Sequence, residues 1–108
     1  IYEVEVSKQA DSDLRGIFEY IAFELQSPEN ASGQLDRLEE QILSLDKMPE
    51  RYRKYEKEPW KSRGLRVLPV DNYLVLYIPD NDKKVVTILR VMYAGRDIDN
   101  QLNIHTKQ

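Results

Sequence analysis

The sequence contains no cysteine and a single histidine, His105. Because thiolates and imidazoles are the usual zinc ligands, we expect no zinc site, and a disulfide framework is excluded. The four glycines are scattered, so the chain has no glycine-rich loop of the kind that cradles phosphate. No serine or cysteine is paired with a histidine in a pattern that favours a hydrolase triad. The sequence therefore predicts a protein that uses neither a metal ion nor a cofactor.

Long apolar runs are also absent. No run approaches the roughly 20 residues of a membrane helix, and the N terminus has no basic-plus-apolar signal pattern. Together with the lack of cysteine, this favours a cytoplasmic protein without a membrane contact. Of the 108 residues, 41% are hydrophobic, which suffices for one packed core. We expect a single domain over residues 1–108, with a polar tail from about residue 100.

Positive charge is concentrated in one segment of an acidic chain. The formal net charge is −3, whereas residues 47–66 contain eight basic and three acidic residues. Such a segment predicts a docking surface for an anion, a nucleic acid or an acidic protein, although a solvated loop has the same composition. Trp60 within it is either a partner-binding residue or an apolar anchor of the loop. The candidate partner-binding residues are Arg51, Arg53, Lys54, Trp60, Lys61 and Arg63.

The first half of the chain predicts one strand and two helices. Residues 2–6 alternate apolar and charged, which is typical of a half-buried strand. Ser7 and Ser27 are candidate helix caps, and Pro28 suits a first helical position. The first apolar stripe comprises Ala10, Leu14, Ile17, Phe18, Ile21 and Leu25; the second comprises Ala31, Leu35, Leu38, Ile42 and Leu45. Pro49 ends the second helix, and the short link between the helices favours an antiparallel hairpin.

Three strands are predicted after an irregular segment, residues 49–64. Residues 65–70 and 73–78 flank Asp71-Asn72, a pair suited to a two-residue hairpin turn. Residues 84–93 are apolar on both faces, which predicts an interior strand. From Gly95 the chain is polar, and we expect it to fray. The predicted class is α+β, in the order β-α-α-β-β-β, with the helical hairpin packed on one face of a mainly antiparallel four-stranded sheet.

Several short motifs follow one another in a characteristic order and spacing from Tyr2 to Ile98. They are Tyr2-Glu3-Val4-Glu5-Val6-Ser7, Ala10-x-x-Asp13-Leu14, Tyr20-Ile21, Pro49-Glu50-Arg51-Tyr52, Trp60-x-x-x-Gly64-Leu65-Arg66, Asn72-Tyr73-x-x-x-Tyr77 and Ile88-Leu89-Arg90-Val91-Met92-Tyr93-Ala94-Gly95-Arg96-Asp97-Ile98. In these motifs the chain resembles the RelE/ParE superfamily of bacterial toxins. The resemblance implies a type II toxin–antitoxin system, in which a small antitoxin wraps and inactivates the toxin in a hetero-oligomer. It also implies one of two targets: mRNA on the ribosome, which some members cleave, or DNA gyrase, which others poison.

The chain departs from the residue pattern of the RelE-like nucleases. Those proteins resemble one another in an arginine directly after the tyrosine of the third strand, where this chain has Leu74. They place a basic residue, often histidine, at or beside the position of Tyr93, and commonly another arginine just beyond, where this chain has Ala94. Asn100 stands roughly where they have a terminal tyrosine. The usual nuclease set is therefore largely missing.

A different set of residues would have to serve a nuclease: Arg66, Arg90, Arg96 and Tyr93. Cleavage through the 2′-hydroxyl needs a base, cations for the phosphorane charge and an acid for the leaving oxygen. The first and third arginines suit bidentate phosphate binding, and the tyrosine suits proton donation. We expect Arg90 on the strand face of Val86, Ile88 and Met92, where it needs a partner: either a functional ligand or a terminal acid such as Asp97 or Asp99.

Three functions remain open at this point. The missing nuclease residues favour a ParE-like toxin that poisons DNA gyrase or a similar protein. The basic segment favours a ribosome-dependent mRNA endoribonuclease with an atypical Arg/Tyr site. A third alternative is a non-toxic member that only binds an antitoxin. We expect an acidic antitoxin segment to cover the basic, aromatic face, and we expect the helices to leave the arginines and tyrosines free on the opposite side of the sheet.

Overall fold

A single five-stranded sheet organises the molecule. The computed structural model describes the backbone of residues 1–106 and all of these side chains except those of Ile104 and His105. The elements are β1 (Glu3–Val6), α1 (Lys8–Glu19), a π-helical turn (Tyr20–Glu24), α2 (Pro28–Leu43), 3-10 turns at Ser44–Asp46 and Pro49–Arg51, β2 (Arg53–Lys54), β3 (Arg66–Val70), β4 (Tyr73–Asp80), β5 (Val85–Tyr93) and α3 (Ile98–His105). The sheet order is β1-β5-β4-β3-β2. The α+β class is confirmed, and β2 is one strand more than predicted.

The strand pairings explain how the chain closes the sheet. β1 runs parallel to β5, and the remaining neighbours are antiparallel. β3 and β4 are joined by the predicted two-residue turn, in which Asp71 adopts a positive φ of 53°. Aspartate tolerates this left-handed conformation better than most residues. β5 lies between β1 and β4, which confirms its predicted interior position. None of the helices among the described residues has the length and hydrophobicity that crossing a bilayer requires.

The two helices of the hairpin start differently. Ser7 caps α1, because its Oγ accepts a hydrogen bond from the Ala10 amide at 3.0 Å and donates one to the Leu89 carbonyl at 3.0 Å. The predicted side-chain cap at Ser27 is wrong, since only its carbonyl oxygen accepts the Ala31 amide. Pro28 occupies the first position of α2, where its missing amide hydrogen costs nothing. Most of each apolar stripe faces the sheet, with Ala10, Leu14, Leu38, Ile42 and Leu45 buried in the core between them.

A π-helical turn after the first helix changes which of the following side chains are buried. The Leu25 amide donates to the Tyr20 carbonyl, five residues earlier, at 3.0 Å. One extra residue in a turn rotates the following side chains by about 100° relative to an α-helix. Ala22 is therefore buried, whereas Leu25, the last residue of the predicted stripe, is 56% exposed. The prediction of a buried Leu25 is wrong for this reason.

A bulge in β5 has a similar effect on the sheet. Tyr77 pairs with Ile88 and Leu76 pairs with Arg90, so Leu89 is an extra residue on β5. Ile88 and Val91 consequently face the helices, whereas Leu89 and Met92 face the opposite side. The prediction that Arg90 shares a face with both Ile88 and Met92 assumed unbroken alternation and is wrong.

The sheet has an apolar core on each face. The core under the helical hairpin includes Leu38, Ile42, Leu45, Leu68, Val75 and Tyr77. The second core lies under the loop of residues 55–64 and α3, and comprises Trp60, Leu65, Val67, Leu76, Leu89, Met92 and Leu102. The predicted free face of the sheet is therefore covered, because seven apolar side chains on that side require shielding from water.

Helix α3 replaces the polar tail that we expected near the C terminus. The Asp97 carboxylate caps it by accepting the Asn100 amide at 3.2 Å. Leu102 is fully buried in the second core, and Ile98, four residues earlier, packs against the same core. The Trp60 Nε1 donates to the Asn103 Oδ1 at 2.9 Å, which joins the loop to the helix. A cap followed by two apolar residues at helical spacing was the signal for this helix.

Tyr77 links the first core to the segment after α2, and it makes the free energy of unfolding depend on pH under alkaline conditions. Its side chain is fully buried and its hydroxyl donates to the Pro49 carbonyl at 2.5 Å. Burial raises the pKa of Tyr77 to about 12, so between pH 10 and 12 the unfolded chain loses a proton that the folded chain keeps. The free energy of unfolding should therefore fall across this range.

Urea unfolding at pH 9 and pH 11.5 tests this expectation. The fall in the free energy of unfolding should be smaller in Tyr77→Phe than in the unsubstituted protein, because phenylalanine does not ionise. Tyr73, whose pKa burial also raises, is present in both proteins and cancels in the comparison. Equal falls in the two proteins would contradict the assignment.

Candidate functional site

A groove of about 980 Å³ opens where the helical hairpin meets the ends of β4 and β5. We call it the tyrosine groove. The side chains that define it here are Asp13, Tyr20, Tyr73, Arg90, Tyr93 and Arg96. Three of the four candidate catalytic residues, Arg90, Tyr93 and Arg96, thus share one site.

The floor of the groove is a nearly buried ion pair. Arg90 donates from Nε and Nη2 to the two carboxylate oxygens of Asp13, at 2.7 and 2.9 Å. The Asp13 carboxylate also accepts the Val91 amide at 2.9 Å, and the third donor of the guanidinium reaches the Thr106 hydroxyl at 3.1 Å. The two side chains are only 10% and 17% exposed. Arg90 is therefore committed to a structural contact between β5, α1 and the end of α3.

This pairing corrects the partner that the sequence suggested for Arg90. Asp97 caps α3 instead, and Asp99 accepts hydrogen bonds from Tyr55 and Lys57. The sequence did carry a signal that Asp13 needs a partner, because it lies three residues after Ala10 and four before Ile17, on the apolar stripe of α1, but the structure identifies that partner as Arg90. An acid on a buried stripe requires a cation or several hydrogen bonds.

Three tyrosines form the rim of the groove. The rings of Tyr73 and Tyr93 meet edge to face, with centroids 6.0 Å apart. Burial raises the pKa of Tyr73, and the phenols of Tyr20 and Tyr93 raise it further. Tyr20 and Tyr93 are 54% and 51% exposed. None of the three hydroxyls has a hydrogen-bond partner among residues 1–106 for which side chains are described.

Gly95 determines how the Tyr93 ring lies. A Cβ atom placed on Gly95 would come within 2.6 Å of the Tyr93 Cε2 atom. The ring therefore packs directly over the backbone of Gly95, a position that every other residue type would obstruct. Gly95 and Tyr73 together hold the ring at the rim.

Arg96 is the free cation of the groove. Its side chain is exposed and forms no hydrogen bond or ion pair with any described residue. The neighbouring carboxylate of Asp97 is turned to the N terminus of α3, so the self-paired Arg96-Asp97 turn that the sequence allowed is not observed. Arg96 is thus available for an external anion.

Arg66 lies outside the groove, beside the turn that precedes β2. Its Nη1 donates to the carbonyl oxygens of Glu50 and Tyr52, at 3.0 and 2.7 Å, and its Nη2 is 3.7 Å from the Glu50 carboxylate. The side chain is only 13% exposed. This arginine is held by the backbone of the segment before β2, and it shares no contact with Arg90 or Arg96.

Some residues of the basic segment are held by structural contacts, and others are exposed to solvent. Arg51 is tied to the end of α2, donating to the Lys47 carbonyl at 2.7 Å and to the Ser44 hydroxyl at 3.3 Å. Trp60 is 3% exposed in the second core, with the Arg63 guanidinium 5.0 Å above its ring. Of the two roles open to Trp60, the structure therefore shows the apolar anchor of the loop. The other candidate partner-binding residues, Arg53, Lys54 and Lys61, are exposed.

The groove supplies few groups for acid–base or metal chemistry. No cluster of three or more potential metal ligands occurs among the described residues. The Asp13 carboxylate is occupied by three hydrogen bonds from Arg90 and the Val91 amide. His105 lies outside the residues whose side chains are described. What the groove offers is one free guanidinium, three phenolic donors and apolar surface, a set suited to binding.

The family model for the ParE toxin of type II toxin–antitoxin systems matches residues 4–98. The chain belongs to the ParE toxin family. No curated protein sequence matches it. Among solved structures, the chromosomal ParDE system of P. aeruginosa superposes with a TM-score of 0.71 at 20% identity, covering 85% of this chain and 95% of that one. The RelBE2 toxin–antitoxin complex of Mycobacterium tuberculosis gives 0.63 at 23% identity, covering 85% and 96%. The intact RelBE complex of E. coli gives 0.61 at 13% identity, covering 89% and 100%.

This membership makes the protein a toxin of a type II toxin–antitoxin system of the RelE/ParE superfamily and confirms the resemblance of its motifs. The likeness to the solved structures extends over nearly the whole of each, so this ParE-family toxin shares their fold. Sequence reasoning missed the tyrosine groove itself, since its rim joins Tyr20 of the π-helical turn to strand residues about 50 and 70 positions later.

Proposed function

We propose that this ParE-family toxin arrests growth by binding a protein, DNA gyrase, and does not cut RNA. One observation carries the proposal: two of the four candidate catalytic residues are committed to structural contacts. Arg66 holds the carbonyls of Glu50 and Tyr52, and Arg90 holds Asp13. Releasing Arg90 to a phosphate would leave Asp13 as an unpaired, nearly buried charge, which is strongly unfavourable.

The residues that remain do not complete a phosphodiester-cleaving site. Such a site needs a base, an acid and enough positive charge to stabilise the phosphorane. Arg96 is one cation and Tyr93 one candidate acid, while Asp13, the one carboxylate among the described residues that line the groove, is held by Arg90. The same set suits protein contact, because tyrosine and arginine are enriched among residues that contribute most to protein–protein binding.

An antitoxin is the second proposed partner. The ParDE and RelBE relatives were solved as toxin–antitoxin systems, and we infer that this chain likewise assembles with a cognate antitoxin. The exposed cations Arg53, Lys54 and Lys61 lie on β2 and the adjoining loop, where an acidic, extended segment would neutralise them.

Induction of the toxin without its antitoxin, together with a purified gyrase assay, tests the proposed target. We expect growth arrest with the DNA-damage response induced, inhibition of gyrase supercoiling by the purified toxin, and no new mRNA ends. Ribosome-dependent mRNA cuts would overturn the proposal, and so would normal growth after induction.

Tyr93→Phe separates the two mechanisms within one experiment, because it removes the hydroxyl and keeps the ring. If Tyr93 were the general acid of a nuclease, this substitution would lower the rate of RNA cleavage by about 10²–10⁴-fold. Loss of one hydrogen bond in a protein contact is worth about 0.5–1.5 kcal/mol, or at most about tenfold. We expect the smaller effect on the toxin concentration that half-inhibits supercoiling.

A further inference from the structure

The tyrosine groove is a point of positive charge on an acidic face. Residues 8–46, which form the hairpin, contain nine acidic and three basic residues. Within the groove the charges of Asp13 and Arg90 balance each other, and Arg37 is paired with Asp71 at 2.7 Å. Arg96 is left unbalanced among the described groups. An acidic ligand is therefore repelled by the hairpin as a whole and attracted to Arg96, which fixes where its carboxylate lies.

Exposed apolar side chains extend the groove along the hairpin. The π-helical turn presents Tyr20, and Phe23 and Leu25 beside it are 68% and 56% exposed. Exposed apolar groups of this size, grouped beside a charge, are typical of a protein contact site. A nucleic acid would instead need several unpaired cations along its phosphates, and the groove has one.

From this charge and this surface we propose that the tyrosine groove holds an acidic segment of the toxin's protein target. A carboxylate of the segment pairs with Arg96, and its neighbouring side chains pack against Tyr20, Tyr73 and Tyr93. The unpartnered phenolic hydroxyls donate further hydrogen bonds to the carboxylate or to the segment's backbone. This inference rests on the proposed function in one respect, namely that the target is a protein.

Gly95 is a positioning residue for this site. Because a Cβ atom on Gly95 would lie 2.6 Å from the Tyr93 Cε2 atom, Gly95→Ala must displace the ring from its place beside Tyr73 without changing any charge. We expect this variant to bind the target about tenfold more weakly while Arg96 remains in place, a loss comparable to that of one good aromatic contact.

Arg96→Glu tests the site, and Arg15→Glu is the matched control. Arg15 is also an exposed arginine, on the outer face of α1, 3.4 Å from Asp11 and outside the groove. We expect Arg96→Glu to weaken binding to purified DNA gyrase at least about 30-fold, as truncation of one partner in an interface charge pair does. Arg96→Lys should recover part of the affinity, and Arg15→Glu should bind as the unsubstituted toxin does. Equal thermal melting of all variants verifies that the fold is intact.

Two further probes keep the site and the target separate. The Glu/Tyr copolymer poly(Glu,Tyr) should bind the unsubstituted toxin and Arg15→Glu, and bind Arg96→Glu at least tenfold more weakly. If gyrase does not bind but this pattern holds, the proposed target fails and the groove assignment stands. If gyrase is inhibited equally by the unsubstituted toxin and Arg96→Glu, the target stands and the groove assignment fails. Polyuridylate binding at Arg96 more tightly than the copolymer, or loss of only the antitoxin complex in Arg96→Glu, would also overturn the assignment.

Discussion

Asp13→Ala should lower the free energy of unfolding by about 3–5 kcal/mol, the usual cost of removing one partner from a buried ion pair. The carboxylate accepts three hydrogen bonds, two from Arg90 and one from the Val91 amide. Its loss leaves a guanidinium that is only 10% exposed without its counter-ion. The bulge at Leu89 brings Arg90 to this position, so the substitution also removes what holds the bulged strand to α1. Urea unfolding at pH 7 measures the change.

Asp11→Ala is the matched control for this substitution. Asp11 lies on the same helix and pairs with Arg15 at 3.4 Å, but the two side chains are 62% and 73% exposed. Exposed pairs of this kind contribute about 0–1 kcal/mol. If both substitutions cost the same, the Asp13–Arg90 pair is not the structural link we describe. Replacing Asp13 and Arg90 together by apolar residues should recover much of the loss, since no buried charge is then unpaired.

Leu102→Ala should cost about 2–5 kcal/mol, as large-to-small substitutions in packed cores do. Leu102 is fully buried and belongs, with Trp60 and Met92, to the second core. If residues 98–105 were a frayed tail, truncation of this side chain would change nothing. The free energy of unfolding therefore distinguishes a docked helix from a tail.

Leu43→Ala is the control for this second substitution, because it deletes the same atoms from a side chain that is 64% exposed on α2. Surface substitutions of this kind usually change stability by no more than about 0.5 kcal/mol. Near-equal effects of the two leucine substitutions would contradict the docking of α3. Hydrogen exchange at the α3 amides gives an independent check, since a docked helix protects them and a frayed one does not.

The predictions that were confirmed rest on local periodicity. Apolar residues spaced at three and four positions require a helix to be buried together, so the stripes ending at Ile21 and Leu45 defined the hairpin without any knowledge of the sheet. The Asp71-Asn72 turn and the two apolar faces of residues 85–93 likewise depend on neighbours in sequence. The motifs that carry the resemblance lie within these elements, which is why the family was recognisable from the sequence.

The predictions that were wrong depend on interruptions of periodicity. The π-helical turn after Tyr20 exposed Leu25, and the extra residue Leu89 moved Met92 to the opposite face. Each interruption adds one residue to a regular element, and several sequences of the same composition tolerate it equally well. The position of each extra residue depends on which one gives the surrounding polar groups hydrogen-bond partners. One such group is the Ser7 hydroxyl, which donates to the Leu89 carbonyl.

The sequence by itself determined the fold class, the hairpin and the family of this toxin, because each of these follows from residues close together in the chain. The tertiary structure alone decided which arginines are free. Arg66, Arg90 and Arg96 are chemically alike, but the first two have partners up to 77 residues away, whereas Arg96 has none among the described residues. A charge is available to a ligand only if no nearer group neutralises it, and that depends on distances in space that the sequence does not encode locally.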